Sequence, residues 1–285
     1  MNLLGEDFAR ALTGWLYPAE PLQRFWRSFG FFVLLFVISV LLQSVFALIV
    51  FRAGFPAEFA TLVQTIQQSW KSGGGMMVQP GDPTQAIAFV KASLIGMFPA
   101  AIITALLALW LAPFGMAKRG GHLPMAWPKL GPLGWASVVV SFVVIMNVVA
   151  AILFSAMGVD PSKELGLVET GMAAMAKDPL MFDMVLPSTI IGAPVMEEIL
   201  FRGALFAGLV QSPVGRPGAV LITAALWAAA HGGAAPVSYL VVLFTMGLVL
   251  GLLLLRFGSL WVTIACHTAW NTLASLAVVF AGTQT

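Results

Sequence analysis

The sequence predicts an all-α fold: a polytopic transmembrane helical bundle of about seven spans, with amphipathic helices at the membrane interface. Three observations predict it. Sixty per cent of the 285 residues are apolar and only 9% are charged, whereas a soluble domain carries roughly 45–50% and 25%. The apolar residues fall into runs of about 20 or more, the length that crosses the hydrocarbon core as a helix. Lys and Arg gather in alternate short connections, as the positive-inside rule requires. With a mean hydropathy of +0.96, the composition excludes a cytosolic enzyme and a disordered chain. A net charge of +2 offers no basic footprint for nucleic acid. Twenty-eight Gly and 17 Pro without a repeat period exclude a coiled coil or fibre, and the single cysteine, Cys266, has no intrachain partner for a disulfide.

In chain order, the apolar runs are 29–51, 87–111, 133–157, 184–210, 218–235, 236–255 and 259–281. The first is too long for the apolar core of a cleaved signal peptide and reads as a true span. Between the runs lie three stripes at helical spacing. They are Leu4, Phe8, Leu12, Trp15 and Leu16; then Phe59, Leu62, Val63, Ile66 and Trp70; then Leu165, Val168, Met172 and Met175. Such stripes suit helices lying flat in the headgroup layer, and the third leads directly into the fourth span. The glycine- and proline-rich stretch 71–83 reads as a flexible loop. Arg10, Arg24, Arg27, Lys118, Arg119, Lys129, Arg216 and Arg256 share one side if the N-terminus is cytoplasmic. Trp26, Trp110, Trp127, Trp135 and Trp261 then fall near the inner ends of spans, as an aromatic belt does. Gly247 and Gly251 in the sixth run form a close-packing motif better suited to the bundle interior than to dimerisation.

The fourth run carries charges where a span should have none. Glu197, Glu198 and Arg202 sit among Pro194, Val195, Met196, Ile199, Leu200 and Phe201. Each ionised group at a helix centre costs about 2.5–3.5 kcal/mol on insertion scales, unless it pairs or meets water. Glu198 and Arg202 are four residues apart on one helix face, so an internal ion pair is natural. Glu197 points about 100° away from Glu198 and is left unpaired. Pro187 and Pro194 each remove a backbone donor, which predicts a bend that lets water reach the acids.

Of three histidines, His122 reads as a solvated loop residue, while His231 and His267 lie in the last third. Gly232 and Gly233 follow His231 as a helix stop. His267 and Asn271, four apart, share one face of the last span and can address a single oxygen atom. A carboxylate with a histidine can activate water as a general base, and a second histidine with an amide can donate to an oxyanion. These are the parts of a peptide-bond hydrolase without a Ser or Cys nucleophile. Glu197, His231 and His267 are also ordinary ligands for zinc or another divalent metal, but there is no His-Glu-x-x-His pair. Metal-independence is the expectation, because Asn271 is a poor zinc ligand and a good amide donor.

Glu197-Glu198-Ile199-Leu200-Phe201-Arg202 resembles the Glu-Glu-x-x-x-Arg motif of CPBP intramembrane proteases. That family includes type II CAAX prenyl proteases and bacteriocin-immunity (Abi) proteins. The family's Phe-x-x-x-His motif resembles Trp227 to His231, with Trp replacing Phe. Its His-x-x-x-Asn motif resembles His267 to Asn271. The resemblance spans 183–275, within a core of about five spans at 133–285. Residues 1–132 form an N-terminal accessory membrane region, an interfacial helix plus two spans. The resemblance implies that Glu197 activates water with help from His231, that His267 and Asn271 stabilise the oxyanion, and that Glu198 and Arg202 hold the site in shape. It implies an intramembrane endopeptidase of the bacterial inner membrane, N-terminus cytoplasmic, acting on a membrane-associated protein or peptide. The rivals are an inactive scaffold or immunity protein of the same fold and a proton-coupled transporter. Transporters carry paired broken helices in two repeats, and the first half of this chain has no counterpart of the Glu197 segment.

Overall fold

The computed structural model describes residues 20–71, 83–116, 125–161, 167–233 and 235–283, and every regular element among them is helical. In chain order these are α1 (Pro21–Gly54), α2 (Pro56–Lys71), α3 (Pro83–Met116), α4 (Pro132–Met157), α5 (Leu167–Ala174), α6 (Met181–Val210), α7 (Gly215–Ala230), α8 (Val237–Phe257) and α9 (Leu260–Thr283). Proline opens each of the first four helices, where its fixed φ suits the first turn and its missing donor costs nothing. Gly158 and Gly258 close α4 and α8 at φ of 67° and 63°, a left-handed cap that glycine adopts without penalty.

Six helices among the described residues are long and apolar enough to cross a membrane: α1, α4, α6, α8, and the segments Ile87–Trp110 of α3 and Leu260–Ala281 of α9. The protein is therefore a multi-pass membrane bundle. The seventh predicted span, 218–235, corresponds to α7, which has 16 residues. At 1.5 Å per residue that reaches about 24 Å, short of a ~30 Å hydrocarbon core. The apolar window runs across the turn at 231–233, where the His231 and Gly232 amides bond back to Ala228 and Ala229 and end the helix.

Helix α6 is the centre of the bundle. Its most apolar window is 67% buried, against 44% for the next most buried span. One continuous core joins Phe32 and Leu35 of α1, Ala105 of α3, Met146 of α4, Leu200 and Phe201 of α6, Trp227 of α7, Leu250 of α8 and Cys266 of α9. Helices α1 and α3 meet closely at Gly96, where a Cβ would lie 2.7 Å from the Ala47 amide nitrogen. The Gly247 and Gly251 motif serves packing within the bundle: Cβ atoms there would lie 2.9 Å from Ala224 Cα and 3.2 Å from Val220 Cγ1 of α7. Gln43, the polar residue of the first span, donates to Ser39, whose hydroxyl donates to Met196 Sδ beside the acids. Exposed Val140, Val144, Val148 and Ile152 give α4 an outer face suited to lipid.

Two predicted stripes lie on helices. Phe59 and Leu62 of α2 pack on Phe51. Met172 and Met175, in and just after α5, are buried with Leu94, Met181 and Val279. The first stripe, His122, Leu165 and nearly all of the 71–83 loop lie outside the described residues, as do the side chains of Trp70 and Val168. Trp127 clusters with Trp135 and Trp261 at ring separations of 5.3 and 5.6 Å. Trp261 also donates to the Met125 carbonyl, which pins the segment before α4 to the start of α9.

Candidate active site

The backbone of α6 explains how two prolines fit inside a span. Its turns widen to π geometry over Met181–Val185, Ser188–Gly192 and Glu198–Leu205, a local change that often marks functional segments. In the second wide turn the Ala193 amide bonds to the Ser188 carbonyl, five residues back. In the same register the next bond would run from residue 194 to Thr189, but Pro194 has no N–H to give. Asn271 supplies the missing donor, its Nδ2 lying 2.9 Å from the Thr189 carbonyl. The prolines are thus absorbed by register change and a side-chain donor from α9. Asn271, predicted from its spacing with His267, spends one amide hydrogen on this bond.

The acids sit where α6 meets α7 and α9. Arg202 Nη1 donates to Glu198 Oε1 at 3.0 Å, with both side chains fully buried. The same oxygen lies 3.0 Å from His267 Nδ1. A carboxylate accepts, so Nδ1 of His267 carries the proton and its Nε2 is the free acceptor of the neutral ring. His231 is fixed likewise: its Nδ1 lies 2.8 Å from the Trp227 carbonyl, which can only accept. Both Nε2 atoms then face Glu197, each 4.0 Å from Oε2. Exposure falls from 30% at His231 to 16% at Glu197 and 3% at His267, so the cluster opens on the His231 side. Glu197, His231 and His267, predicted from three separate motifs, are brought together. Asn271 stands one turn further along α9 and is tied to α6.

Sequence reasoning passed over the group that contacts Glu197 most closely. Trp227 Nε1 donates to Glu197 Oε2 at 2.6 Å. The indole meets His231 and His267 edge-on, with centroids at 5.2 and 5.3 Å, and Arg202 Cζ lies 4.7 Å from its ring centroid. The signal was present: Trp stands where the resembled motif has Phe, and a buried indole needs an acceptor.

Ligands of one tetrahedral zinc, each about 2.1 Å from the ion, lie roughly 3.4 Å apart. The Nε2–Oε2 separations of 4.0 Å exceed this, and Oε2 already receives the indole N–H. No three His, Cys, Asp or Glu side chains among the described residues are grouped to hold a metal. The residues as placed do not fit zinc, and no step below runs through one.

Fold and site together define a helical membrane protein with a buried carboxylate–imidazole cluster. Residues 179–273, about a third of the chain, match the family model described as type II CAAX prenyl endopeptidase Rce1-like. The match supports a reading of this segment as similar to CAAX-type intramembrane proteases of the CPBP family. No curated protein and no solved structure matches the chain.

Proposed function

We propose that the protein is an intramembrane endopeptidase that hydrolyses a peptide bond of a membrane-associated protein or peptide, with water activated by Glu197 and the histidines. The observation that carries this reading is Glu197 Oε2 with two imidazole Nε2 atoms, each 4.0 Å away. Glu197 Oε2 and the neutral imidazole Nε2 of His231 are both acceptors and need a donor between them. A separation near 4 Å is what one water spans when it gives a hydrogen to each side.

Such a water is polarised for attack. Glu197 takes its proton as the oxygen adds to the scissile carbonyl carbon, and the same carboxyl then delivers that proton to the departing amide nitrogen. His231, on the open side, orients the water from its Nε2. His267 donates from Nε2 to the developing oxyanion only when a proton from solvent makes the ring an imidazolium, with the Glu198 carboxylate as its counter-ion. The second amide hydrogen of Asn271 is the other candidate donor. Glu198 and Arg202 act through His267, fixing which of its nitrogens faces Glu197.

The distribution of Arg24, Arg27, Lys129 and Arg216 supports a cytoplasmic N-terminus in a bacterial inner membrane. The test is Glu197→Gln, which removes the base and keeps its volume. Comparison of new protein N-termini in membranes carrying wild type or Glu197→Gln identifies the substrate. Purified Glu197→Gln should lose at least about a hundredfold in cleavage rate with its melting temperature unchanged. Full activity in Glu197→Gln refutes the role of base.

A further inference from the structure

We infer that Trp227 is a positioning residue for the general base: its indole N–H holds Glu197 Oε2 and so fixes the carboxylate facing the imidazole Nε2 atoms, where the water sits. This rests on the hydrolytic reading above and adds to it the group that aims the base. The 2.6 Å contact is at the short end for an N–H donor, as a charge-assisted bond to a carboxylate is. Indole nitrogen is a donor only, so it cannot compete with Glu197 for the proton. A hydroxyl or imidazole in the same place could.

The ring is itself packed on every side. It is wholly buried, with the Arg202 guanidinium beside it and the two site histidines against it edge-on. Behind it α8 comes so close that a Cβ on Gly247 would lie 3.3 Å from Cε3. Glu197, in contrast, has a flexible side chain reaching toward the open end of the cluster. Tying one of its oxygens to a fixed donor removes that freedom before substrate arrives, which is what preorganisation of a catalytic group requires. Phenylalanine at this position would fill much of the volume and donate nothing.

The experiment compares wild type, Trp227→Phe and a protein carrying benzothienylalanine at 227, in which sulfur replaces the N–H with little change of shape. The probe is a quenched fluorescent version of a peptide cut in a Glu197-dependent manner. Both variants should lose about tenfold to a hundredfold in kcat with KM unchanged, and the benzothienylalanine protein should melt with wild type. Wild-type kcat in that protein overturns the inference, since the N–H is then unused. A rise in KM at constant kcat also overturns it and makes Trp227 a wall of the substrate pocket. Glu197→Gln run in parallel separates the two readings. If it is inactive while the Trp227 variants keep wild-type kcat, the base stands and its positioning by Trp227 falls. If it is fully active, or wild type shows no Glu197-dependent cleavage, both fall.

Discussion

Removing the Arg202 charge should strand Glu198, and the structure sets the size of the penalty. Both side chains are fully buried with Nη1 and Oε1 3.0 Å apart. Unit charges at that distance attract by about 5 kcal/mol at an effective dielectric of 20. Methionine at 202 keeps most of the stem and its packing but leaves the carboxylate with no cation, only neutral donors such as the Nδ1–H of His267. Breaking a buried pair from one side costs about 3–5 kcal/mol. Losing the guanidinium beside Trp227 adds about 1 kcal/mol. At roughly 2–4 °C per kcal/mol, Arg202→Met should melt about 8–24 °C below wild type in detergent. The double variant Glu198→Gln/Arg202→Met leaves no charge stranded, so it should melt above the Arg202→Met single. Glutamine still offers His267 an acceptor. A double-mutant cycle measured by thermal unfolding decides it. If Arg202→Met melts within about 1 °C of wild type, or the two single losses simply add, the buried-pair argument is wrong.

Cleavage should survive dialysis against a strong divalent chelator, as the placement of the three ligand-type side chains implies; one stoichiometric zinc bound by wild type and lost in His267→Ala would reverse that reading. Gly247→Ala forces a Cβ to within 2.9 Å of Ala224 Cα, backbone that cannot swing aside. It should cost about 1–3 kcal/mol, read as a lower melting temperature. Asn271→Ala orphans the Thr189 carbonyl in α6 and should cost about 1–3 kcal/mol. An unchanged melting temperature for that variant would mean Asn271 does not repair the gap left by Pro194.

What the sequence made legible was whatever one helix carries within itself. The apolar runs, the Glu198–Arg202 pair at i and i+4, and the shared face of His267 and Asn271 all follow from helical periodicity alone. The Gly247–Gly251 motif was legible too, because close packing needs small residues whichever helix supplies the partner. The length of α7 was misread because hydropathy continues past 231–233, while the turn there depends on backbone bonds that apolarity does not report. The π turns of α6 were not legible either. Pro187 and Pro194 announced missing donors, but whether a helix answers by bending or by changing register depends on what its neighbours can offer. Here the neighbour is Asn271, 82 residues from the carbonyl it serves.

The same distinction changes the meaning of Glu198. Read along α6, it is the partner of Arg202 and holds shape. In three dimensions its Oε1 also accepts from His267 Nδ1, 69 residues away, so it selects the tautomer that turns Nε2 toward Glu197. Trp227 stands in a similar relation to Glu197, from a helix where only alanines, Ala228, Ala229 and Ala230, separate it from His231. Each acid of the Glu197–Glu198 pair is thus answered by a group from another helix. Glu197 on one face meets the indole of α7, while Glu198, about 100° around, meets the imidazole of α9. Adjacent acids on a helix point about 100° apart, and the two carboxylates here meet different surroundings even where both approach His267. One carboxylate stays partly exposed at the open side of the cluster, while the other is fully buried and committed to Arg202 and His267. Glu197→Gln should therefore lower cleavage at an unchanged melting temperature, while Glu198→Gln should lower the melting temperature, because it strands the buried Arg202 charge.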